Sequence, residues 1–224
     1  VPQVSTVCNP GQITFNGWGR YSVSLTSTTP DGCSKTLTKP NYIVIDSIKP
    51  DFYIYNGLGC VPKYVTLVSF LNSAPVPAVG YFWQVYKDGI QIGTGFSGAY
   101  PHYYTAPGCY SARLTVWTAD GCTTSVYKDT AFCLGTKPVC TLNATPDTAC
   151  AGTPVTFSLS GANCNYDTLW VHYGDEAQPN AVVPKLYSPF THQYSPGSYT
   201  AWVVPSLYGC TGDTLRTNIL ISPQ

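Results

Sequence analysis

Short runs in which apolar and polar residues alternate recur along the chain. Val155, Phe157 and Leu159 alternate with Thr156, Ser158 and Ser160. Tyr199, Ala201 and Val203 alternate with Thr200, Trp202 and Val204, and the set Tyr110, Ala112, Leu114 and Val116 follows the same rule. A period of two puts one set on a buried face and the other outward, which is the pattern of half-buried β-strands. Asp-Gly and Pro-Gly turns separate the runs, and no window shows a convincing helical period. The pattern predicts an all-β chain built of antiparallel β-sandwiches, with about seven strands to each.

The alternating runs belong to a longer repeat. Gly19-Arg20-Tyr21 to Gly32-Cys33, Gly108-Cys109-Tyr110 to Gly121-Cys122, and Gly197-Ser198-Tyr199 to Gly209-Cys210 share one layout. Tyr21, Tyr110 and Tyr199 are spaced by 89 residues; Cys33, Cys122 and Cys210 are spaced by 89 and 88. Cys60 and Cys150 lie 90 apart, and Trp83 and Trp170 lie 87 apart. A period of this length suits one sandwich domain per repeat rather than a solenoid unit. The expected domains are residues 1–48, 49–136 and 137–224, joined by short proline-bearing linkers that make a semi-rigid string. Residues 1–48 read as the C-terminal part of a repeat, because Phe15 lies 89 before Tyr104 and keeps the phase of strand E. Alternatively they are a shortened repeat, because Cys8 to Phe15 also resembles Cys150 to Phe157.

Composition narrows the class. With 11 basic and 11 acidic residues the net charge is zero, which argues against nucleic acid and acidic membranes as partners. Only 10% of residues are charged. The ten cysteines form no Cys-x-x-Cys pair, and His102, His172 and His192 are not spaced as zinc ligands beside cysteines. Disulfides, and hence an oxidising, extracellular or cell-surface location, are the expectation. The sequence has no methionine, so Val1 is expected to follow a removed signal peptide or to be the edge of a fragment. No stretch approaches the ~18 apolar residues of a membrane span.

The ordered motifs resemble the PKD-type (polycystic-kidney-disease) immunoglobulin-like repeat, in the form common in large surface proteins of Bacteroidetes. Repeat three carries Cys150-Ala151-Gly152, Val155, Phe157, Tyr173-Gly174-Asp175, His192-Gln193-Tyr194, Pro196-Gly197-Ser198-Tyr199 and Gly209-Cys210. Repeat two carries Cys60, Asp88-Gly89, Pro101-His102, Pro107-Gly108-Cys109-Tyr110 and Gly121-Cys122. Glu176 and the Tyr86-Lys87 pair depart from the family's Phe-Gly-Asp-Gly turn, and Trp170 is one residue out of step with its aromatic strand. The resemblance implies tandem immunoglobulin-like sandwiches that serve as extracellular spacers or adhesive modules, and it implies no catalytic residues. It also implies disulfides Cys60–Cys122 and Cys150–Cys210, each closing a loop of about 60 residues worth ~4 kcal/mol. From the strand reading itself, a hairpin turning near Asp120-Gly121 places Cys109 opposite Cys133. Cys140 and Cys164 then remain for each other. Cys8 and Cys33 are left over; they pair, or Cys33 has its partner upstream.

Other chemistry is sparse. No nucleophile elbow occurs, and Glu176 is the sole glutamate, so no catalytic residue is expected. No cofactor is expected either; calcium is the one candidate, on Asp88 and Asp175-Glu176, although a calcium site needs 6–8 oxygens. Trp117 and Trp202 fall on the outward face of strand F, where an indole can stack on a sugar or pack under a neighbouring repeat. Five of the ten aspartates open an Asp-Ser/Thr-apolar triplet, at Ser47, Thr130, Thr148, Thr168 and Thr214. Chance gives roughly one. The triplet resembles the O-glycosylation signal of Bacteroidetes. The expected function is an extracellular structural or adhesive repeat array of a cell-surface or fibre-forming protein. Its partners would be neighbouring repeats, copies of the same protein, or glycans. The alternative is an accessory carbohydrate- or protein-binding module of a secreted hydrolase.

Overall fold

A computed structural model describes residues 4–45, 48–72, 77–119, 121–175, 181–184 and 189–223. Among these residues there is no helix, so none is long and apolar enough to cross a membrane. The chain begins with an antiparallel hairpin of β1 (Gly19–Thr28) and β2 (Ser34–Ile45). None of its described residues is buried, because a two-stranded ribbon has no second sheet to pack against. No strand forms at Phe15, contrary to the sequence expectation. Among the described residues no strand lies beside Phe15 to pair with it.

Repeat two is a complete two-sheet sandwich. Its strands are β3 (Pro50–Tyr55), β4 (Lys63–Leu71), β5 (Ala78–Lys87), β6 (Ile90–Gly95), β7 (Ala99–Tyr104), β8 (Gly108–Thr118) and β9 (Thr123–Leu134). One sheet has the order β3-β4-β7 and the other β6-β5-β8-β9, all antiparallel. Trp83, Val85, Leu114, Val116 and Ala112 from one sheet face Phe52, Val65 and Leu67 from the other. The alternation in β8 sends Ala112, Leu114 and Val116 inward and Arg113, Thr115 and Trp117 outward. Trp83 is fully buried; its indole Nε1 donates to the Ser97 carbonyl at 2.8 Å, which satisfies the one polar atom it brings into the core.

Repeat three follows the same plan with β10 (Val139–Thr145), β11 (Thr148–Cys150), β12 (Pro154–Asn163), β13 (Thr168–His172), β14 (Ala181–Pro184), β15 (Phe190–Gln193), β16 (Gly197–Leu207), β17 (Cys210–Thr211) and β18 (Leu215–Ser222). Its sheets are β10-β12-β15 and β11-β18-β16-β13-β14, with β17 paired to β16. Val155, Phe157, Leu169, Val171, Ala201, Val203, Ile219 and Ile221 form a core that shares no residue with that of repeat two.

One device recurs in all three copies. Tyr21, Tyr110 and Tyr199 each donate their hydroxyl to the carbonyl four residues back, on Gly17, Ala106 and Ser195. Their rings stand 4.6 to 4.7 Å from Phe15, Tyr104 and Tyr194 respectively. This is the corner that fixes the chain's entry into strand F of an immunoglobulin-like sandwich. The hairpin also repeats a bulge found 89 residues later. Asn41 N–H donates to Ser22 Oγ as Thr130 N–H does to Ser111 Oγ, and both residues have positive φ.

Candidate functional site

The site is the junction where repeats two and three meet. Three segments converge there: the loop between β3 and β4, the residue after β9, and the turn between β16 and β17. Tyr208 and Gly209 occupy the turn with φ of 51° and 75°, the left-handed pair that a two-residue hairpin requires. Asp167 Oδ2 accepts the Tyr208 N–H at 2.8 Å and fixes the turn to its own domain. On the other side, Cys60 lies parallel to Gly135, with Val61 N–H donating to the Gly135 carbonyl and Gly135 N–H to the Gly59 carbonyl, both at 2.9 Å. The two halves lock when Gly59 N–H donates to the Tyr208 carbonyl at 2.8 Å. Gly135 is required here: a Cβ would come within 2.1 Å of the Leu207 carbonyl oxygen.

A disulfide closes the junction. Cys60 of repeat two is bonded to Cys210 of repeat three, 150 residues later, with Cα atoms 4.4 Å apart. Cys210 is fully buried. In the chain-entropy model a loop of that length contributes about 5 kcal/mol. Two further disulfides, Cys109–Cys133 and Cys140–Cys164, each span 24 residues within one repeat. Cys8, Cys33, Cys122 and Cys150 are exposed thiols.

This corrects the pairings Cys60–Cys122 and Cys150–Cys210 implied by the family resemblance, and Cys8 is not joined to Cys33. The reason is the length of a strand. Cys60 stands beside Gly135, just past the end of β9, whereas Cys122 stands just before its start. At ~3.3 Å per residue the two ends lie roughly 40 Å apart, while a disulfide needs Cα atoms within about 7 Å. Likewise Cys150 lies at the Gly197 end of β16 and Cys210 at its Leu207 end, roughly 30 Å away. A cysteine at the far end of one sandwich is instead next to the near end of the following one.

The remaining candidates are dispersed. Trp117 and Trp202 lie on outward faces, both half-buried. The Trp117 indole lies across Gly80, where a Cβ would come within 2.0 Å of the ring, and Trp202 stacks on His172 at 5.3 Å. Trp170 projects from the same face of repeat three and is 52% exposed. It was not singled out from sequence as a binding residue; its place on β13, two residues before His172, was the available signal. A second exposed aromatic surface, also not anticipated, covers β3-β4-β7 of repeat two, with Tyr53 near Phe70 and Tyr64 against Tyr103.

The histidines of the repeated motif serve packing. His192 Nε2 is bonded to Asp175 Oδ2 at 2.7 Å, and its ring stacks on Tyr173 at 3.9 Å. His102 lies between Tyr100 and Tyr104, where burial lowers its pKa. Of the calcium candidates, Asp175 is engaged by His192, Asp88 pairs with Lys87 at 2.9 Å, and Glu176 lies outside the described residues. Among the described residues no three His, Cys, Asp or Glu side chains gather as metal ligands. Thr130, Thr148 and Thr214 are exposed, Thr168 is half-buried, and Ser47 lies outside the described residues.

No protein-family profile matches the chain, and no curated protein matches it. Among solved structures it is similar to murine CEACAM1b at 9% identity, over 79% of this chain and 100% of that one, with a TM-score of 0.50. It is also similar to the fibronectin(III)-like modules of Clostridium thermocellum CbhA at 12% identity, over 77% of this chain and 95% of that one, with a TM-score of 0.48. A third likeness is to the FN1-FN3 domains of chicken CNTN1, at 12% identity, over 77% of this chain and 65% of that one, with a TM-score of 0.46. At such identities the likeness concerns the fold alone. With the sheet order above, it defines the chain as all-β, made of immunoglobulin-like β-sandwich domains.

Proposed function

We propose that the chain is part of an extracellular structural or adhesive repeat array, of the PKD-like kind found in Bacteroidetes surface proteins, and that it acts without catalysis. The observation that carries this reading is the Cys60–Cys210 junction. A bond between domains, backed by backbone hydrogen bonds, sets the angle between two repeats and resists pulling. A loosely tethered module needs neither property. Three disulfides fit an oxidising exterior. The test is a distance distribution between nitroxide labels introduced without cysteine, through unnatural amino acids at exposed Tyr64 and Leu220. A narrow distribution that broadens in Cys210→Ser is the expected result. A broad one in the oxidised wild type contradicts a rigid junction.

The same reading includes O-glycosylation of the Asp-Ser/Thr-apolar triplets. Attached sugars would hydrate a surface with few charges and cover open sheet edges. Protein from its native host is expected to carry added hexose-type mass at Thr130, Thr148 or Thr214, the exposed sites, with Ser47 and Thr168 as further acceptors. An intact mass equal to the polypeptide less its disulfide hydrogens contradicts it. A second reading, an accessory binding module of a secreted hydrolase, is favoured by the outward row of Trp170, His172 and Trp202. It requires retention on polysaccharide that disappears in Trp170→Ala.

A further inference from the structure

We propose that Cys150 is a second inter-repeat coupling site, which takes the F–G-turn cysteine of another repeat of this kind and so continues the array covalently. The end of repeat three already has the architecture that Cys60 uses. Cys60 lies parallel to Gly135 after the last strand of its repeat; Cys150 lies parallel to Ser222 at the end of its own. Val61 N–H donates to the Gly135 carbonyl at 2.9 Å, and Ala151 N–H donates to the Ser222 carbonyl at 3.0 Å. Cys60 is occupied by Cys210, whereas Cys150 is an exposed thiol.

The complementary half is present at the other end of each repeat. Cys122 and Cys33 follow the F–G turn as Cys210 does, and both are exposed thiols. Gly32, Gly121 and Gly209 have φ of 84°, 83° and 75°. Thr118 N–H donates to the Cys122 carbonyl at 3.0 Å, and Thr29 N–H to that of Cys33 at 2.8 Å, so these two turns have one geometry, one residue longer than the turn closed by Leu207 and Cys210. The chain thus presents acceptor turns towards its N-terminal side and an unused platform at the end of repeat three. The occupant that fits the platform is a second copy of the turn. One difference matters. Ser222 stands where Gly135 does, and a Cβ at Gly135 would press on the docked carbonyl of Leu207. A turn docked on Ser222 therefore sits farther out.

The step is thiol–disulfide exchange with a disulfide oxidant, a small molecule or an oxidoreductase. The Cys150 thiolate attacks one sulfur of the oxidant and expels a thiolate, forming a mixed disulfide. The thiolate of the turn cysteine attacks the Cys150 sulfur and expels the second. Two cysteines are oxidised, the oxidant is reduced to two thiols, and the two protons of the cysteines pass to those thiolates.

The inference rests on the array reading, and its test is separate. Full-length chain is incubated at high concentration with oxidised glutathione, then resolved without reduction and mapped. The expected products are dimers and longer species in which Cys150 of one copy is bonded to Cys122 or Cys33 of the next. They should be lost in Cys150→Ser and several-fold more abundant in Ser222→Gly. Retention of the Cys60–Cys210 bond in each variant checks folding. Predominant Cys150–Cys150 links, Cys150 carrying only glutathione, or an unchanged yield in Ser222→Gly overturns the proposal. Label distances between repeats two and three do not depend on the outcome, so a failure here leaves the array reading standing.

Discussion

Pulled from its two ends, the chain is expected to extend by about 350 Å more when Cys60 is replaced by serine, at ~3.5 Å for each released residue. With the disulfide intact, tension enters at the N-terminus, reaches Cys60, crosses to Cys210 and leaves through the last strand. Nearly all of both sandwiches is bypassed. In Cys60→Ser the force runs through both domains, and only the two loops closed by Cys109–Cys133 and Cys140–Cys164 stay locked. Reducing those two bonds adds roughly 170 Å more. Single-molecule extension measures each length directly. Equal lengths for wild type and Cys60→Ser, both oxidised, would show that the junction carries no load.

The second large effect is local. Trp83→Ala is expected to cost repeat two about 3–5 kcal/mol, the usual range for emptying a buried aromatic site. The indole is fully buried, meets Phe52 edge-on at 5.2 Å and donates to the Ser97 carbonyl. The alanine variant leaves a cavity and an unsatisfied carbonyl together. Domains of this size hold only about 5–15 kcal/mol, so repeat two should melt first and repeat three remain. Denaturation followed by the separate signals of the two repeats checks this. Trp170→Ala, at an exposed position, serves as the control and should change stability by no more than about 0.5 kcal/mol. A loss in Trp83→Ala no larger than that would contradict the placement of Trp83 in the core.

The strands and their faces could be read directly from the sequence, because burial on one side of a sheet writes a period of two into β8, β12 and β16. The Asp-Gly turns marked hairpins for a local reason too, since positive φ, as at Asp88 and Gly89, restricts the residue types allowed. The junction was not legible. Its pairing depends on which ends of two sandwiches touch, and spacing within one repeat carries no such information. Cys60–Cys122 and Cys60–Cys210 look alike in a motif, and only the ~40 Å length of a strand separates them. Counting residues along β9 was the signal that could have excluded the first. Gly135 pointed the same way; it directly follows the last strand of repeat two, where close approach to Leu207 leaves no room for a side chain. Trp170 was missed as a surface residue because its 87-residue spacing from Trp83 suggests equivalence, whereas Trp83 pairs with the inward Leu114 and Trp170 with the outward Val204.

The most direct test of this account is peptide mapping under non-reducing conditions, with thiols blocked before digestion. The junction predicts one peptide pair joined through Cys60 and Cys210, alongside Cys109–Cys133 and Cys140–Cys164, with Cys122 recovered apart from Cys60 and Cys150 apart from Cys210. Recovery of Cys60 bonded to Cys122 and of Cys150 bonded to Cys210 would contradict it, and would reduce the two repeats to independent beads on a linker.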